Sequence, residues 1–353
     1  MKSMKCAVAL TLCLLLASLP ALGTEDFPKT IIDSANRTVI IDKPLERIVP
    51  FSTWSYEPLY VLGLGDKIVG VTSSAKNLYP YLDGMDSKPE VGTYKEYDYE
   101  KILEQRPDLI IASARAVGTL EEKLPGVKVV VLNLNDPSTF EREFKTLADM
   151  TESSERAKEY ITWRQTKLDL LKEGTSRLKP GEKKSVYCEY AEWPLHTGGN
   201  GSSKDYAISM AGGINVAKDL TLGSNPNFEV SAEWVLDKNP QVIIFDNSQD
   251  AYYSPVTLVQ YNVTSPERAK RFLDEVVERK EIAGTDAARN GQMYIIEELC
   301  IDSSRNFMAP LYLARWLYPE QFKDLDPEAI QKEYFEKWLG VPYKGIWAYP
   351  QAS

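Results

Sequence analysis

Residues 47 to 72 read RIVPFSTWSYEPLYVLGLGDKIVGVT, and this stretch indicates the fold class. Arg47 to Phe51 is a short apolar run typical of a β-strand, and Tyr56 to Leu62 has the apolar spacing of a helix. Lys67 to Thr72 returns as a second predicted strand. A βαβ unit places its first strand-to-helix turn at the carboxyl edge of the sheet, where open α/β sheets bind ligands. We therefore expect the functional site near residues 52–57.

The composition is that of a soluble globular protein with room for two domains. The chain has 353 residues, 43% of them hydrophobic and 26% charged. A single hydrophobic core rarely extends over more than about 250–300 residues, so two domains are expected. The formal net charge of −10 argues against a nucleic-acid partner, because binding phosphates requires clustered Lys and Arg. We predict no nucleic-acid partner, and we expect a monomer.

Residues 1–23 have the pattern of a secretory signal. Lys2 and Lys5 precede an apolar run from Cys6 to Leu19, and Ala21 to Gly23 provides a small-residue cleavage site. The alternative is a retained membrane anchor, but a membrane span needs roughly 20 apolar residues and this run is shorter. We predict a protein exported to the periplasm or to the outer face of the cytoplasmic membrane, and leave cleavage open.

Two cysteines remain in the mature chain, Cys188 and Cys300, and both fall in predicted strands. An exported pair can form a disulfide, whereas cysteines inside strands are often free and buried. Both alternatives stay open. His196 is the sole histidine. Protein sites for naked zinc or manganese gather several His or Cys ligands, so we predict no protein-held metal and no cofactor.

Strand and helix patterns alternate through the first half, which predicts a parallel, doubly wound α/β sheet. Thr30 to Asp42 alternates as a β-hairpin does. Asp108 to Ser113 and Lys128 to Asn133 have the apolar pattern of buried strands. Ser138 and Glu141 have the spacing of a helix capping box.

One long helix is predicted from Ser153 to Leu178 by its apolar stripe. Beyond it the alternation of strands and helices resumes. We predict an N-terminal α/β lobe at 24–152, a linking helix at 153–180 and a C-terminal α/β lobe at 181–353. Two such lobes joined by one helix leave a cleft between the carboxyl edges of both sheets.

Several short sequence motifs, spread over nearly the whole mature chain, together resemble those of one protein family. They include PEVG at 89–92, YEKILEQRPDLIIA at 99–112, HTGGNGS at 196–202, EVSAEWVLDKNPQVIIFD at 229–246 and YLARWLYPEQF at 312–322, in addition to the opening stretch. In this order they resemble the solute-binding proteins of ABC importers for ferric siderophores, haem and cobalamin. The resemblance implies two Rossmann-like lobes bridged by one helix, a ligand in the cleft and small opening motions.

The resemblance also implies docking onto a membrane permease that is driven by an ATPase. In this family an acidic residue on each lobe pairs with arginines of the permease. Glu57 matches the position on the first lobe, although a carboxylate in a first helical turn also suits the helix dipole. On the second lobe the usual glutamate position is Tyr206, and Asp205 beside it is the candidate.

Candidate ligand groups are side chains at the carboxyl ends of strands. Aromatic rings with a few polar groups suit a bulky chelate or macrocycle, and arginine suits a carboxylate or catecholate edge. Each candidate has a structural alternative, such as core packing, an exposed loop or a helix cap. His196 is a further candidate as an axial ligand of haem or cobalt, and the stretch 247–253 follows another strand. The ligand-binding candidates are Trp54, Tyr56, Tyr94, Tyr97, Arg115, Trp193 and Arg305.

Enzyme signatures are poor in this chain. It has no GxSxG nucleophile elbow, and Glu297 and Glu298 should point to opposite faces of a strand. We predict an extracytoplasmic binding protein of an ABC importer whose ligand is a chelated metal, with ferric siderophore first, a corrinoid such as cobalamin second and haem third. The alternatives of other classes are an exported enzyme acting on a tetrapyrrole or metal chelate, and a surface sensor or adhesion module.

Overall fold

The computed structural model describes residues 27–220, 227–248 and 257–350. The predicted signal segment lies outside these ranges, as do residues 249–253 of the candidate stretch 247–253. The fold is α/β, as predicted. No helix in the described ranges combines the length and apolar character needed to cross a bilayer.

We call the part before the long helix the first lobe. A β-hairpin opens it, because β1 and β2 pair in antiparallel fashion and confirm the hairpin expected at Thr30 to Asp42. Its sheet has the order β3-β4-β5 with parallel pairing throughout. β3 and β4 are entirely buried, as their uninterrupted apolar runs require. The strands of this lobe are β1 (Lys29–Ile32), β2 (Thr38–Ile41), β3 (Ile48–Pro50), β4 (Leu109–Ala112) and β5 (Lys128–Val131).

The helices of the first lobe connect these strands. They are α1 (Tyr56–Val61), α2 (Ser73–Leu78), α3 (Tyr99–Glu104), α4 (Val117–Lys123) and α5 (Phe140–Met150). The predicted capping box on α5 is wrong. Thr139 is the N-cap, and Ser138 Oγ instead donates to Asp136 Oδ1 at 2.7 Å.

The expected strand at Lys67 to Thr72 forms only single β-bridges. Val69 N donates to Ile48 O at 3.0 Å, so the first half of this segment extends the sheet beside β3. Val71 N then donates to Pro89 O at 2.9 Å, and the second half pairs with a different segment. This change of partner divides what the sequence pattern presented as one continuous strand.

A single long helix, α6 (Ser154–Ser176), lies between the two sheets in the chain, within the span predicted for it. Its buried side chains include Tyr160, Trp163 and Leu171. Tyr160 and Trp163 stack at 5.7 Å between ring centroids. The indole of Trp163 also lies 5.6 Å from the ring centroid of Trp338, near the end of the chain.

We call the part after α6 the second lobe. Its sheet has the order β12-β11-β10-β6-β7-β9, and β8 also pairs with β6. The central pairs β6-β10 and β10-β11 are parallel, whereas the pairs with β7, β9 and β12 are antiparallel. The strands are β6 (Ser185–Tyr190), β7 (Trp193–Gly198), β8 (Ile214–Asn215), β9 (Asn227–Glu229), β10 (Val242–Asn247), β11 (Met293–Glu297) and β12 (Ala348–Tyr349).

Helices cover both faces of this second sheet. They are α7 (Ser203–Met210), α8 (Ala232–Lys238), α9 (Glu267–Val276), α10 (Lys280–Ala283), α11 (Asp286–Arg289), α12 (Met308–Leu317) and α13 (Pro327–Glu333), which continues as a π-helical turn, Tyr334–Leu339. Tyr334 returns to the first lobe, where its hydroxyl donates to Glu57 Oε2 at 3.2 Å. Cys188 and Cys300 are free and buried, so the disulfide alternative is wrong.

Candidate functional site

A cavity of about 480 Å³ lies between the two lobes, at the carboxyl ends of the first-lobe strands. Phe51 to Trp54 follow β3, Ser113 to Arg115 follow β4, and Leu132 and Asn133 follow β5. The second lobe contributes Ser248, which follows β10, and Glu298, which follows β11. Ligand cavities typically measure about 300–1,000 Å³, so this one suits a substantial small molecule.

Aromatic rings form much of the first-lobe wall. Trp54, Tyr94 and Tyr97 line the cavity together with Phe51. The ring of Phe51 meets that of Tyr97 edge to face, with centroids 4.6 Å apart. Tyr97 Oη donates to Tyr94 O at 3.4 Å, which ties the two loop tyrosines together. These flat apolar surfaces can pack against a planar or bulky ligand.

Arg115 supplies a cation on the same wall. It lies in the short 3-10 turn Ala114–Ala116 directly after β4, and its side chain is exposed. Burial raises the pKa of the Tyr97 phenol, and the positive charge of Arg115 opposes that shift. The two side chains are therefore close enough to interact, and Arg115 can present paired N–H donors to an anionic edge of a ligand.

Amides and hydroxyls complete the first-lobe side. Ser34 Oγ donates to the carboxylate of Glu143 and accepts from Asn133 N at 3.0 Å. Asn135 Nδ2 donates to Asp302 Oδ1 of the second lobe at 3.1 Å. Asn135 thus lines the cavity and also joins the lobes at its edge.

The second-lobe wall carries a carboxyl group. Ser248 Oγ donates to Glu298 Oε2 at 2.6 Å. Burial, followed by the nearby charge of Asp246, raises the pKa of Glu298 to about 8. This carboxyl group therefore holds a proton near neutral pH, and it can donate or accept a hydrogen bond at the cavity wall.

The fold agrees with comparisons to known proteins. The family model described as periplasmic binding protein matches residues 48–299, which is most of the chain. The chain belongs to this family. An ABC transporter substrate-binding lipoprotein from Bacillus subtilis, YvrC, is 27% identical over 228 residues, covering 63% of this chain and 70% of that protein.

Two further comparisons find a similar sequence and a similar fold. A vitamin B12-binding protein of Yersinia pestis is 26% identical over 209 residues, covering 58% of this chain and 70% of that protein. The solved TroA-like periplasmic binding protein FepB from Veillonella parvula superposes with a TM-score of 0.76 at 23% identity, covering 92% of this chain and all of that one. The protein is thus a class III periplasmic binding protein, the substrate-binding component of an ABC transporter.

Four of the predicted ligand residues come together at the cavity, namely Trp54, Tyr94, Tyr97 and Arg115. Each was selected because it follows a strand or a neighbouring loop at the carboxyl edge. The sequence did not single out Ser34, Asn133, Asn135 or Glu298. Asn133 directly follows the predicted strand KVVVLN and Glu298 follows β11, so the same rule applies to them. For Ser34, which belongs to the hairpin, no sequence signal exists.

Tyr56 does not line the cavity. It packs in the core, which was the structural alternative for this residue. Its side chain is 0% exposed. Its hydroxyl donates to Pro50 O at 2.7 Å and accepts from Thr72 N at 2.9 Å. Tyr56 therefore stabilises the turn between β3 and α1 from inside.

The structure places both Glu57 and Arg305 elsewhere than predicted, because they form a buried ion pair between the lobes. Arg305 Nε lies 3.5 Å from Glu57 Oε1, and the two side chains are 0% and 1% exposed. The hydroxyl of Tyr81 donates to Glu57 Oε1 at 2.7 Å. Glu57 is therefore not the exposed docking carboxylate that we expected, and Arg305 is not a cavity residue. Their burial follows from the return of the second lobe over α1.

Glu297 is a second carboxylic acid beside this ion pair. Arg305 Nη2 lies 3.2 Å from Glu297 Oε2, and the guanidinium stacks 4.7 Å from the ring centroid of Trp347. Burial raises the pKa of Glu297 to about 7, with Arg305 opposing the shift. Glu297 faces this cluster while Glu298 faces the cavity, as the alternation along a strand predicted.

The remaining candidates lie on the second lobe, away from the cavity lining. Trp193 is 39% exposed and meets the ring of Tyr190 at 5.6 Å between centroids. His196 lies within β7 and not in a loop, and its Nδ1 lies 3.1 Å from Pro194 O. Asp205 is half-buried in the first turn of α7 and accepts from Asn215 Nδ2 at 3.0 Å. No group of three His, Cys, Asp or Glu is placed to hold a metal ion in the part of the chain that the structure describes.

Proposed function

We propose that this ABC-importer binding protein captures a chelated metal complex, with a ferric siderophore as first candidate, and delivers it to a membrane permease. The observation that carries the proposal is the cavity between the lobes, where aromatic rings and Arg115 share a wall. A chelate presents broad apolar faces and a polar rim, which match this combination. The metal enters as part of the cargo and not as a resident ion.

Proteins similar to this chain support the second and third candidate ligands. The Yersinia pestis relative is named for vitamin B12, which keeps a corrinoid as the second candidate. A periplasmic haem-binding protein of Pseudomonas aeruginosa shares the fold with a TM-score of 0.59 at 20% identity, and haem is third. The position of His196 outside the cavity lining gives no support to an axial role for it.

Delivery requires a surface that the permease recognises. Asp205 is our proposed contact on the second lobe, since its carboxylate lies in the first turn of α7 and is only half-buried. The permease would then recognise the lobes in their ligand-bound arrangement. Replacing Asp205 by Asn should leave ligand affinity unchanged while reducing import by the cognate transporter.

A thermal-shift screen tests the proposal, with native mass spectrometry of every hit. The panel contains ferric siderophores, corrinoids, haem and free metal ions, because selective binding to the folded state raises the melting temperature. We expect an intact chelate bound in a one-to-one complex and chemically unchanged. Binding of free ions alone would contradict the chelate proposal. Turnover of the chelate would instead support the alternative of an exported enzyme.

A further inference from the structure

The first turn of α7 is hydrogen-bonded to a residue that also contacts the cavity wall. Ser203 Oγ donates to Asp302 Oδ1 at 2.9 Å. The same carboxylate oxygen accepts at 3.1 Å from Nδ2 of Asn135, which lines the cavity from the first lobe. One oxygen atom therefore accepts a donor from the cavity wall and a donor from α7.

Asp302 is also connected to the second-lobe wall of the cavity. Its backbone N–H donates to Glu298 O at 2.8 Å, which closes the turn between these two residues. Glu298 lines the cavity. The position of Asp302 therefore depends on residues of both walls, and its carboxylate connects them to Ser203.

A second contact holds the same turn of α7 in place. Lys204 Nζ pairs with Asp246 Oδ2, and the two side chains are 3% and 0% exposed. Asp246 lies in β10, just before Ser248 of the cavity wall. Because separating a buried ion pair is costly, Lys204 keeps α7 against the carboxyl end of β10.

Asp205 lies in this turn of α7. Its backbone N–H donates to Ser202 Oγ at 3.1 Å, and Tyr206 N donates to Ser202 O at 3.0 Å. Asp205 Oδ1 accepts from Asn215 Nδ2 at 3.0 Å. The carboxylate that we propose as a permease contact is therefore oriented by the same turn that Ser203 connects to the cavity.

We propose that the first turn of α7 couples ligand binding in the cavity to the surface around Asp205, and that Ser203 is the positioning residue for this coupling. The inference rests on the proposed function, because it takes Asp205 as the permease contact. Hydrogen-bond networks and rigid secondary-structure elements are the routes by which two separate sites can be coupled.

The side-chain amide of Asn135 provides a physical route for the coupling. It has two N–H groups, and one of them donates to Asp302. An acceptor atom of a ligand in the cavity can take the other. Both contacts together fix the amide plane, so the bond to Asp302 opens less often and the carboxylate oxygen stays in place for Ser203. A turn that is already ordered loses less conformational entropy when the permease binds it.

Hydrogen exchange of the protein without ligand tests the connection first. The backbone amides of residues 205–207 measure how often the turn opens. Asn135→Ala removes a side chain of the other lobe and should speed exchange at these amides severalfold. Asn133→Ala is the matched control on the same cavity wall and should leave them unchanged. Adding Asn135→Ala to Ser203→Ala should speed exchange no further, because both variants act through Asp302.

Two results would overturn the connection. One is unchanged exchange at residues 205–207 in Asn135→Ala, and the other is additive effects in the double variant. Circular dichroism and melting temperature show whether each variant is folded. If Asn135→Ala were not folded, the measurement with bound ligand on the unaltered protein would decide the inference.

The same measurement with a bound chelate tests whether the turn responds to a ligand. The probes are a ferric trihydroxamate, a ferric tris-catecholate, cyanocobalamin and haemin. A probe that binds should slow exchange at residues 205–207 severalfold in the unaltered protein. Ser203→Ala should bind the same probe with similar affinity but lose the slowing, whereas Ser203→Thr keeps a hydroxyl and should retain it. Ser209→Ala removes an exposed serine from the same helix and should behave as the unaltered protein.

The outcomes distinguish this inference from the proposed function. Binding of a probe without slower exchange at residues 205–207 would overturn the inference and leave the proposed function intact. Slowing that persists in Ser203→Ala, or that is lost equally in Ser209→Ala, would refute the role of Ser203. If no probe bound to the unaltered protein, the proposed function would fall, and the inference with it.

Discussion

Arg115 is the cation on the first-lobe wall, and its contribution can be measured directly. Arg115→Ala should weaken binding of the chelate identified in the screen by about tenfold, or about 1.4 kcal/mol, because paired donors to an acceptor edge are lost. Isothermal titration measures this change. Arg268→Ala removes an exposed arginine from α9 and should bind normally. Unaltered affinity of Arg115→Ala for every chelate tested would remove this residue from the site.

The buried pair of Glu57 and Arg305 should matter for stability. Arg305→Met leaves Glu57 and Glu297 buried without their counter-charge, and breaking a buried pair in this way costs about 3–5 kcal/mol. Urea unfolding measures the loss. Adding Glu57→Gln removes one orphaned charge, so the double variant should lose less than the sum of the single variants. Additive losses would show that the two residues do not interact.

Individual residues were predictable where their role depends on local position. Trp54 and Arg115 were found because each directly follows a strand at the carboxyl edge, and strands are visible as apolar runs. The burial of Glu57 was not predictable, because its partners Arg305 and Tyr334 come from the far end of the chain. A first-turn carboxylate has the same sequence signature whether it faces solvent or another lobe.

At the scale of elements, the turn formed by residues 302–306 connects the lobes. Asp302 accepts from Asn135 Nδ2 at 3.1 Å, and Asn306 Nδ2 donates to Asn135 O at 2.9 Å. Asn306 Oδ1 also accepts from Arg164 Nη2 of α6 at 3.0 Å. One turn thus contacts the first lobe and the long helix, and it should act as a fixed point during any opening of the cleft.

Asn306→Ala tests this role. It removes two hydrogen bonds and leaves the carbonyl of Asn135 and one N–H of Arg164 unpaired, so we expect a loss of about 2 kcal/mol in unfolding free energy. Hydrogen exchange should speed up at residues 133–136 and in the turn, but not in β10. The exposed Asn262→Ala is the control. Unchanged exchange at residues 133–136 would contradict the role assigned to the turn.

Secondary-structure elements were predicted well where a single hydrophobic periodicity extends over a long segment. The long helix α6 was found because its apolar stripe persists over many turns. The prediction of one continuous strand at Lys67 to Thr72 was less successful, since the segment changes its β-bridge partner near Gly70. The antiparallel edges β9 and β12 were missed, because short edge strands carry little apolar pattern.

For the whole molecule, several buried carboxyl groups predict how stability depends on pH. Burial raises the pKa of Glu192 and Glu297 to about 7 and that of Glu298 to about 8. The folded state therefore binds more protons than the unfolded state above about pH 4.5. The stabilisation from these protonated groups is complete below that pH and is lost as pH rises through about 7 to 8.

Urea unfolding at about pH 5.5 and about pH 8 checks this prediction. The free energy of unfolding should be lower at the higher pH, and Glu298→Gln should reduce the difference. Carboxylates with a lowered pKa, such as Asp33 and Asp108, lose their contribution only at acid pH, below this window. A free energy of unfolding that rose between these two conditions would contradict the placement of protonated acids in the interior.

Anomalous diffraction from crystals grown with the chelate selected by the screen tests the central claim most directly. The metal of the bound chelate marks its own position. We predict one strong peak inside the cavity, between the wall that carries Arg115 and the wall that carries Glu298. A peak elsewhere on the protein, or no peak despite stoichiometric binding of the intact complex in solution, would contradict this assignment of the interlobe cavity.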